Sequence, residues 1–168
     1  MRERTNITSV VLLLGSNDIA AAEILRRAVE IIGLSVGKVV KCSDEHRSEA
    51  YGFTSDREFI NLAVEVEVEA DAYEVLRRIN LIESLLGRDR EEERRVQRER
   101  GEVYASRPID IDIIFYGDAS FSDERLTIPY HFLDEREYAL RPVVDIAAER
   151  RHPALSRTPR EMLEALTM

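Results

Sequence analysis

Asp110 and Asp112 stand two residues apart in the segment Arg107-Pro108-Ile109-Asp110-Ile111-Asp112-Ile113-Ile114-Phe115-Tyr116-Gly117. Its Ile, Phe and Tyr content predicts a β-strand, with Gly117-Asp118 as the turn that ends it. Strand side chains alternate, so Ile109, Ile111 and Ile113 share one face and the two Asp share the other. Carboxylates about 7 Å apart on one face repel each other and cost desolvation unless a cation sits between them. A hard cation such as Mg²⁺ suits them, since it is often held by one or two carboxylates plus substrate phosphates. Arg107, just before the strand, is placed to hold a phosphate at the same end. The alternative is a solvent-facing strand whose outward positions happen to be Asp, although Asp is depleted in strands.

Other chemistry is sparse. The sequence has no Gly-x4-Gly-Lys-Ser/Thr loop, no Gly-x-Gly-x-x-Gly after a strand, no His-Glu-x-x-His and no Gly-x-Ser-x-Gly. Three scattered His do not suggest a His-rich metal centre; His46 and His152 have no partner evident in sequence, while His131 is a candidate ligand contact. What remains is the carboxylate pair, an arginine-rich segment over residues 88–107 and a polar loop before Phe59. Those parts suit phosphoryl transfer by positioning and electrostatics, without a covalent nucleophile.

The net charge of −9 argues against general nucleic-acid binding, which needs a basic footprint. All the basic residues but Lys38 and Lys41 are Arg, the better bidentate phosphate ligand. The longest apolar run, residues 10–14, is far too short to span a bilayer, and the first residues lack a signal-peptide core, so a cytoplasmic protein is expected. A single Cys42 excludes an internal disulfide and is expected to be a buried strand residue. At 168 residues, 44% hydrophobic and 34% charged, the chain is expected to be one globular domain over residues 1–168 and a monomer.

Several elements must position these residues. Residues 9–14 predict a buried strand running into Gly15-Ser16-Asn17. Residues 19–32 carry apolar side chains at helical spacing, closed by Gly33. Residues 36–42 predict a strand, followed by a loop through Arg57, then a strand over 59–70 whose Glu65, Glu67 and Glu69 form a solvated face. Asp71 and Glu74 form a capping box for a helix over 72–86, with Gly87 as its stop. Residues 88–106 are too charged to pack into a core and predict a solvated loop or a mobile helical arm. Residues 120–128 are expected as a hairpin partner of the Asp110/Asp112 strand and residues 131–138 as a short helix, and Thr158-Pro159-Arg160-Glu161 opens a final helix. The order β-α-β-β-α-β predicts an α+β sandwich of the ferredoxin-like kind, a mainly antiparallel sheet with helices covering one face and a C-terminal extension.

Short fragments along the chain then carry a resemblance. They are Leu14-Gly15-Ser16-Asn17, Phe59-Ile60-Asn61, Ile82-Glu83 leading to Leu86-Gly87-Arg88, the Asp110/Asp112 segment, Leu126-Thr127-Ile128-Pro129, and residues 136–142. In this order and spacing, over roughly residues 10–153, the chain resembles 6-hydroxymethyl-7,8-dihydropterin pyrophosphokinases. Those folate-pathway enzymes share the ferredoxin-like fold and move a diphosphate from ATP to a pterin alcohol, releasing AMP. The resemblance implies that Asp110 and Asp112 hold two Mg²⁺ ions bridging the ATP phosphates. It implies a pterin slot in which Asn61 pairs with the ring edge, Tyr138 stacks on the ring, Phe59 lines the pocket, and the backbone from Ser48 to Tyr51 reads the remaining edge. It implies ATP contacts at Glu83, Arg88, Arg90, Arg107, Ile113, Arg125, Thr127, His131 and Arg136, with Arg90 and Arg107 foremost for the triphosphate. For Glu83 a helix-surface charge is an equal alternative.

Three departures stand out. The family usually has His after the Pro of the Leu-Thr-x-Pro segment, where this chain has Tyr130 followed by His131. The segment between Gly87 and Arg107 is longer than usual and has Tyr104-Ala105 in place of a Trp-Gly pair. Ala50-Tyr51 replaces a Pro-rich pterin loop. Two rival readings remain: another Mg²⁺-dependent phosphoryl or nucleotidyl transferase on the same sandwich, and a diverged, non-catalytic ferredoxin-like binding module. The Glu-lined strand speaks against an RNA-binding sheet, which shows aromatics and basic residues instead.

Overall fold

The strand expected near residues 9–14 is β1 (Thr8–Ser16), and it is buried on both faces from Val10 onward. A computed structural model describes residues 6–49, 58–101 and 108–168. In it β1 has a strand on each side and helices above and below, which is why its apolar run does not alternate. It pairs antiparallel with β4 (Phe59–Val68) on one side and β5 (Asp110–Tyr116) on the other. β2 (Lys38–Cys42) gives the order β2-β4-β1-β5, and β3 (His46–Ser48) pairs with the Phe59 end of β4. The crossovers are α1 (Ala21–Ser35) and α2 (Ala72–Leu85). This is the ferredoxin-like arrangement expected.

Side-chain alternation divides the sheet into two cores. Val10, Leu12 and Leu14 pack with Leu62, Val64, Ile111 and Ile113 beneath Leu25, Ala28 and Ile32 of α1 and Val75 and Ile79 of α2. Val11, Leu13, Ala63, Ile114 and Phe115 point the other way. They are covered by α4 (Glu137–Ala147) and α5 (Pro159–Thr167), through Leu140, Val143 and Met162. Helices therefore cover both faces, where one was expected; the C-terminal extension is the second layer. Cutting Leu140 back to Ala would cost about 2–5 kcal/mol, as deletions at fully buried sites do.

Local chemistry explains most boundaries. Asp71 caps α2 by accepting from the Glu74 N–H at 2.8 Å, and Gly87 ends that turn with φ of 99°. Thr158 caps α5 in the same way. The expected stop at Gly33 is wrong: α1 runs on to Ser35, and Gly37 is the glycine the chain needs. A Cβ there would lie 2.2 Å from the Glu67 carbonyl oxygen. Cys42 is exposed because β2 is an edge strand. The loop expected before Phe59 contains β3. The short helix expected over 131–138 is instead a 3-10 turn, Leu133–Glu135, followed by α4, whose interior Pro142 hides it from sequence reasoning. Residues 120–128 do not pair with β5 as expected but fold back on themselves as a separate ladder of β6 (Phe121–Ser122) and β7 (Thr127–Ile128).

The charged segment is helical where described. In α3 (Arg90–Arg100) no residue is buried, and Asp89 caps it by accepting from the N–H groups of Glu91 and Glu92. Glu91–Glu93 fill the first turn, Arg98 and Arg100 the last, and Gly101 closes it in the left-handed region. Acids at the N-terminus and bases at the C-terminus complement the helix dipole. Among the described residues no helix is long and apolar enough to cross a membrane.

Candidate functional site

Register decides what stands beside the carboxylates. Asp110 lies opposite Gly15 of β1, and Gly15 lies opposite Asn61 of β4; Asp112 lies opposite Leu13. Ile109, Ile111 and Ile113 enter the α1–α2 core, so Asp110 and Asp112 share the other face as the alternation predicted. Strands are about 4.8 Å apart, so Asn61 and Asp110 stand about 10 Å from each other with only a glycine between them.

That glycine makes the site possible. A Cβ on Gly15 would fall 2.7 Å from Asn61 Oδ1 and 3.8 Å from a ring carbon of Phe59. Asn61 is 4% exposed, and its Nδ2 donates to Ser48 Oγ at 3.0 Å, which fixes the carboxamide's orientation. Phe59 shares the face of Asn61, two residues earlier on β4. Across the register from Asn61 stands His46, whose Nε2 lies 2.7 Å from Asp145 Oδ2, tying β3 to α4. His152, also without a partner in sequence reasoning, accepts through Nδ1 from the Ala154 and Leu155 N–H groups. Tyr51 and Ala50 lie outside the described residues.

On the outer edge of β5, Glu83 from the last turn of α2 is 1% exposed and is no surface charge. Its Oε2 accepts from the Ile111 N–H at 3.0 Å and from Arg88; its Oε1 accepts from Arg90 at 3.0 Å. Arg88 also donates to Asp110 Oδ1 and to Glu93 Oε1, each at 2.9 Å. Burial pushes the Glu83 carboxyl up and the Asp110 charge adds to that, against the pull of Arg88 and the Ile111 N–H. Burial also opposes the Arg88 charge, but the hydrogen bond it donates to Glu93 and the charges of Asp110 and Glu83 outweigh it and hold the guanidinium above its usual value. Glu93 of the charged segment is thus tied to Asp110 through Arg88. Arg107 and Tyr104 lie outside the described residues.

Above the acidic face, Tyr130 and Tyr138 place their hydroxyls 3.5 Å apart. Burial first, and then the Asp112 charge, push both phenols up, so they are neutral donors at physiological pH. His131 is exposed, edge-on to Phe132 with ring centroids 4.6 Å apart. Of the pair that departs from the family pattern, Tyr130 sits near the carboxylates and His131 lies on the exposed rim. Arg136 stacks over Phe132 at 4.7 Å, at the N-terminus of α4 beside Tyr138. Arg125 stacks over Tyr73 at 4.8 Å. Tyr73 is ten residues before Glu83 on α2, about 15 Å along its axis. Arg125 therefore meets only a ligand that extends along α2 away from the acidic pair. Thr127 Oγ1 pairs with Ser122 Oγ at 2.8 Å in the β6–β7 ladder. Ile113 buries its side chain in the opposite core, leaving only its main chain near the sheet edge.

The donor set fits Mg²⁺. Two carboxylates share a face, and among the described residues no group of three or more His, Cys, Asp or Glu forms a protein-only cage. Such a pair suits a cation that completes its coordination with water and phosphate oxygens.

A ferredoxin-like sheet edge with two carboxylates, a buried arginine and an amide-and-aromatic slot alongside defines a site for a phosphate-bearing small molecule. Comparison with known proteins names the family. The profile of 7,8-dihydro-6-hydroxymethylpterin-pyrophosphokinase (HPPK) matches residues 11–148. A 2-amino-4-hydroxy-6-hydroxymethyldihydropteridine pyrophosphokinase of Methylorubrum extorquens is 35% identical over 144 residues, 85% of each chain. One from Synechocystis is 31% identical over 152 residues, covering 90% of this chain and 72% of the relative. A crystal structure of wild-type HPPK-DHPS from Plasmodium falciparum superposes on 98% of this chain with a TM-score of 0.72 at 18% identity; this chain spans 46% of its length. The chain belongs to the HPPK family.

Proposed function

We propose that this protein transfers the diphosphate of ATP to the hydroxymethyl group of 6-hydroxymethyl-7,8-dihydropterin, yielding AMP and the pterin diphosphate for folate biosynthesis. The observation that carries this reading is the cross-strand row Asn61–Gly15–Asp110, with an amide and a carboxylate on one face about 10 Å apart. That spacing suits a bicyclic ring held at one end and its hydroxymethyl arm presented to phosphate at the other.

Asn61 offers a donor and an acceptor side by side to the pterin edge. Phe59 and Tyr138 supply aromatic faces for the ring, and Ser48 holds the Asn61 carboxamide. The pterin oxygen forms a bond to the β-phosphorus as the bridge to the α-phosphate breaks; AMP keeps the bridging oxygen, and the hydroxyl proton is released. Arg90, half-exposed and anchored to Glu83, and Arg107 meet the triphosphate. Arg88, Arg136 and, farther along the nucleotide, Arg125, Thr127 and the Ile113 main chain complete its path. His131, on the rim, meets only the outer part of a ligand. Asp110 and Asp112 would hold two Mg²⁺ ions, which when bound neutralise phosphate charge and polarise the transferring group. The protein would act as a monomer and a single domain, with the 88–106 segment as its arm.

The test is to incubate the protein with ATP, Mg²⁺ and the hydroxymethyl dihydropterin and to follow AMP. Stoichiometric AMP and pterin diphosphate are expected. Production of ADP, or AMP released without pterin, would replace this reading with another phosphoryl or nucleotidyl transfer.

A further inference from the structure

Glu93 has no place in the assignments above, yet it joins α3 to the acidic strand through one guanidinium. Its two oxygens face the Nε–Nη2 edge of Arg88, at 2.9 and 3.4 Å. That leaves Arg88 Nη1 for Glu83 Oε2 and, at 2.9 Å, Asp110 Oδ1. A guanidinium is planar and rigid, so gripping one edge sets the direction of the other. The Arg88 side chain is 4% exposed and that of Glu93 20%, so solvent screens the contact little. Glu92, one residue earlier, pairs with Arg95 of its own helix and is half-exposed.

The charges give this linkage a direction. Three carboxylates, Glu83, Glu93 and Asp110, share Arg88. A divalent cation on Asp110 competes with Arg88 for that carboxylate and repels the guanidinium. Glu93 keeps Arg88 paired when this happens, so the cation and the Glu93–Arg88 contact favour each other. Binding linkage is reciprocal: whatever Glu93 adds to cation affinity, the cation returns as docking of α3.

Resting on the proposed metal site, we infer that Glu93 is a positioning residue which aims Arg88 and couples α3 docking to cation occupancy at Asp110. The experiment titrates Mn²⁺ with a non-hydrolysable ATP analogue into wild type, Glu93→Gln and Glu92→Gln, read by electron paramagnetic resonance. Hydrogen exchange of the α3 amides is measured with and without the same ligands. Since α3 buries no residue, both variants should fold, which a thermal melt checks. Glu93→Gln should weaken Mn²⁺–nucleotide binding about tenfold, within the usual range of coupling between linked sites. It should also abolish the ligand-induced protection of α3, whereas Glu92→Gln, with the same loss of charge, should do neither. Equal weakening in the two variants would mean that Glu93 acts only through net charge and would overturn the inference. So would α3 exchange in wild type that ignores the ligands. If wild type binds no Mn²⁺–nucleotide, the metal-site reading falls and this inference with it.

Discussion

Gly15→Ala tests the geometry of the site most directly, because it adds one methyl group between Asn61 and Asp110 and changes no charge. The new Cβ would lie 2.7 Å from Asn61 Oδ1. Ordinary carbon–oxygen contacts begin near 3.3 Å, so the carboxamide must retreat by about 0.6 Å. It cannot do so freely, since Asn61 is 4% exposed and its Nδ2 is held by Ser48 at 3.0 Å. Misaligning a polar group against a buried ring edge costs about 1–3 kcal/mol, or about 5- to 150-fold in pterin affinity. Folding should suffer less. Ala lowers the entropy of the unfolded chain by about 0.4–1 kcal/mol, which offsets much of the clash. Calorimetry with the pterin and with an ATP analogue, beside a thermal melt, separates these effects. The expected result is a large loss for pterin, nucleotide affinity within about twofold and little change in melting. In an Asn61→Ala background the same substitution should cost nothing further, because the group it displaces is gone. Unchanged pterin affinity, or equal losses for both ligands, would refute the reasoning.

Other perturbations probe the rest of the site. Asp112→Ala should lower turnover by at least about a thousandfold, the several kcal/mol that a Lewis-acid site supplies. Its melting temperature should hold or rise, because one of two neighbouring like charges is removed; full activity would sink the metal assignment. Tyr130→Phe should lower kcat/KM by more than His131→Ala does while costing under about 1 kcal/mol of stability, since its 3.5 Å contact is too long to hold Tyr138 firmly. The reverse order would return the role to His131. Hydrogen bonds from Arg77 and Arg78 pull the Glu74 carboxyl from 4.5 to about 2. A depressed folded value means that the pairing stabilises above pH 4.5 and is lost as the pH falls towards about 2. An NMR titration of its carboxyl carbon should show that midpoint rising with salt, because the group is exposed; a midpoint of 4.5 at low salt would contradict the pairing.

Local rules written in the sequence were enough for much of the protein. The two-residue alternation of Asp110 and Asp112 against Ile109, Ile111 and Ile113 sets which face each occupies, whatever the strand packs against. The caps at Asp71 and Thr158 and the turn at Gly87 act within four residues and were legible for the same reason. The fragments around Asn61, Glu83 and Asp110 also carried the family, since their types and spacing survive without knowledge of contacts. What stayed hidden depends on atoms far apart in the chain. Glu83 is a charged helix residue by pattern, and only the approach of α2 to the edge of β5 buries it against Ile111 and Arg88. Cys42 has a core residue's pattern and an edge strand's exposure. Tyr130 rather than His131 meets the acidic face because the chain after Pro129 enters a 3-10 turn, a geometry that residue types do not declare. In sequence Gly15 only marks where the first predicted strand ends; that its missing Cβ makes room for Asn61 follows from the register of β1 with β4, which only the folded sheet establishes.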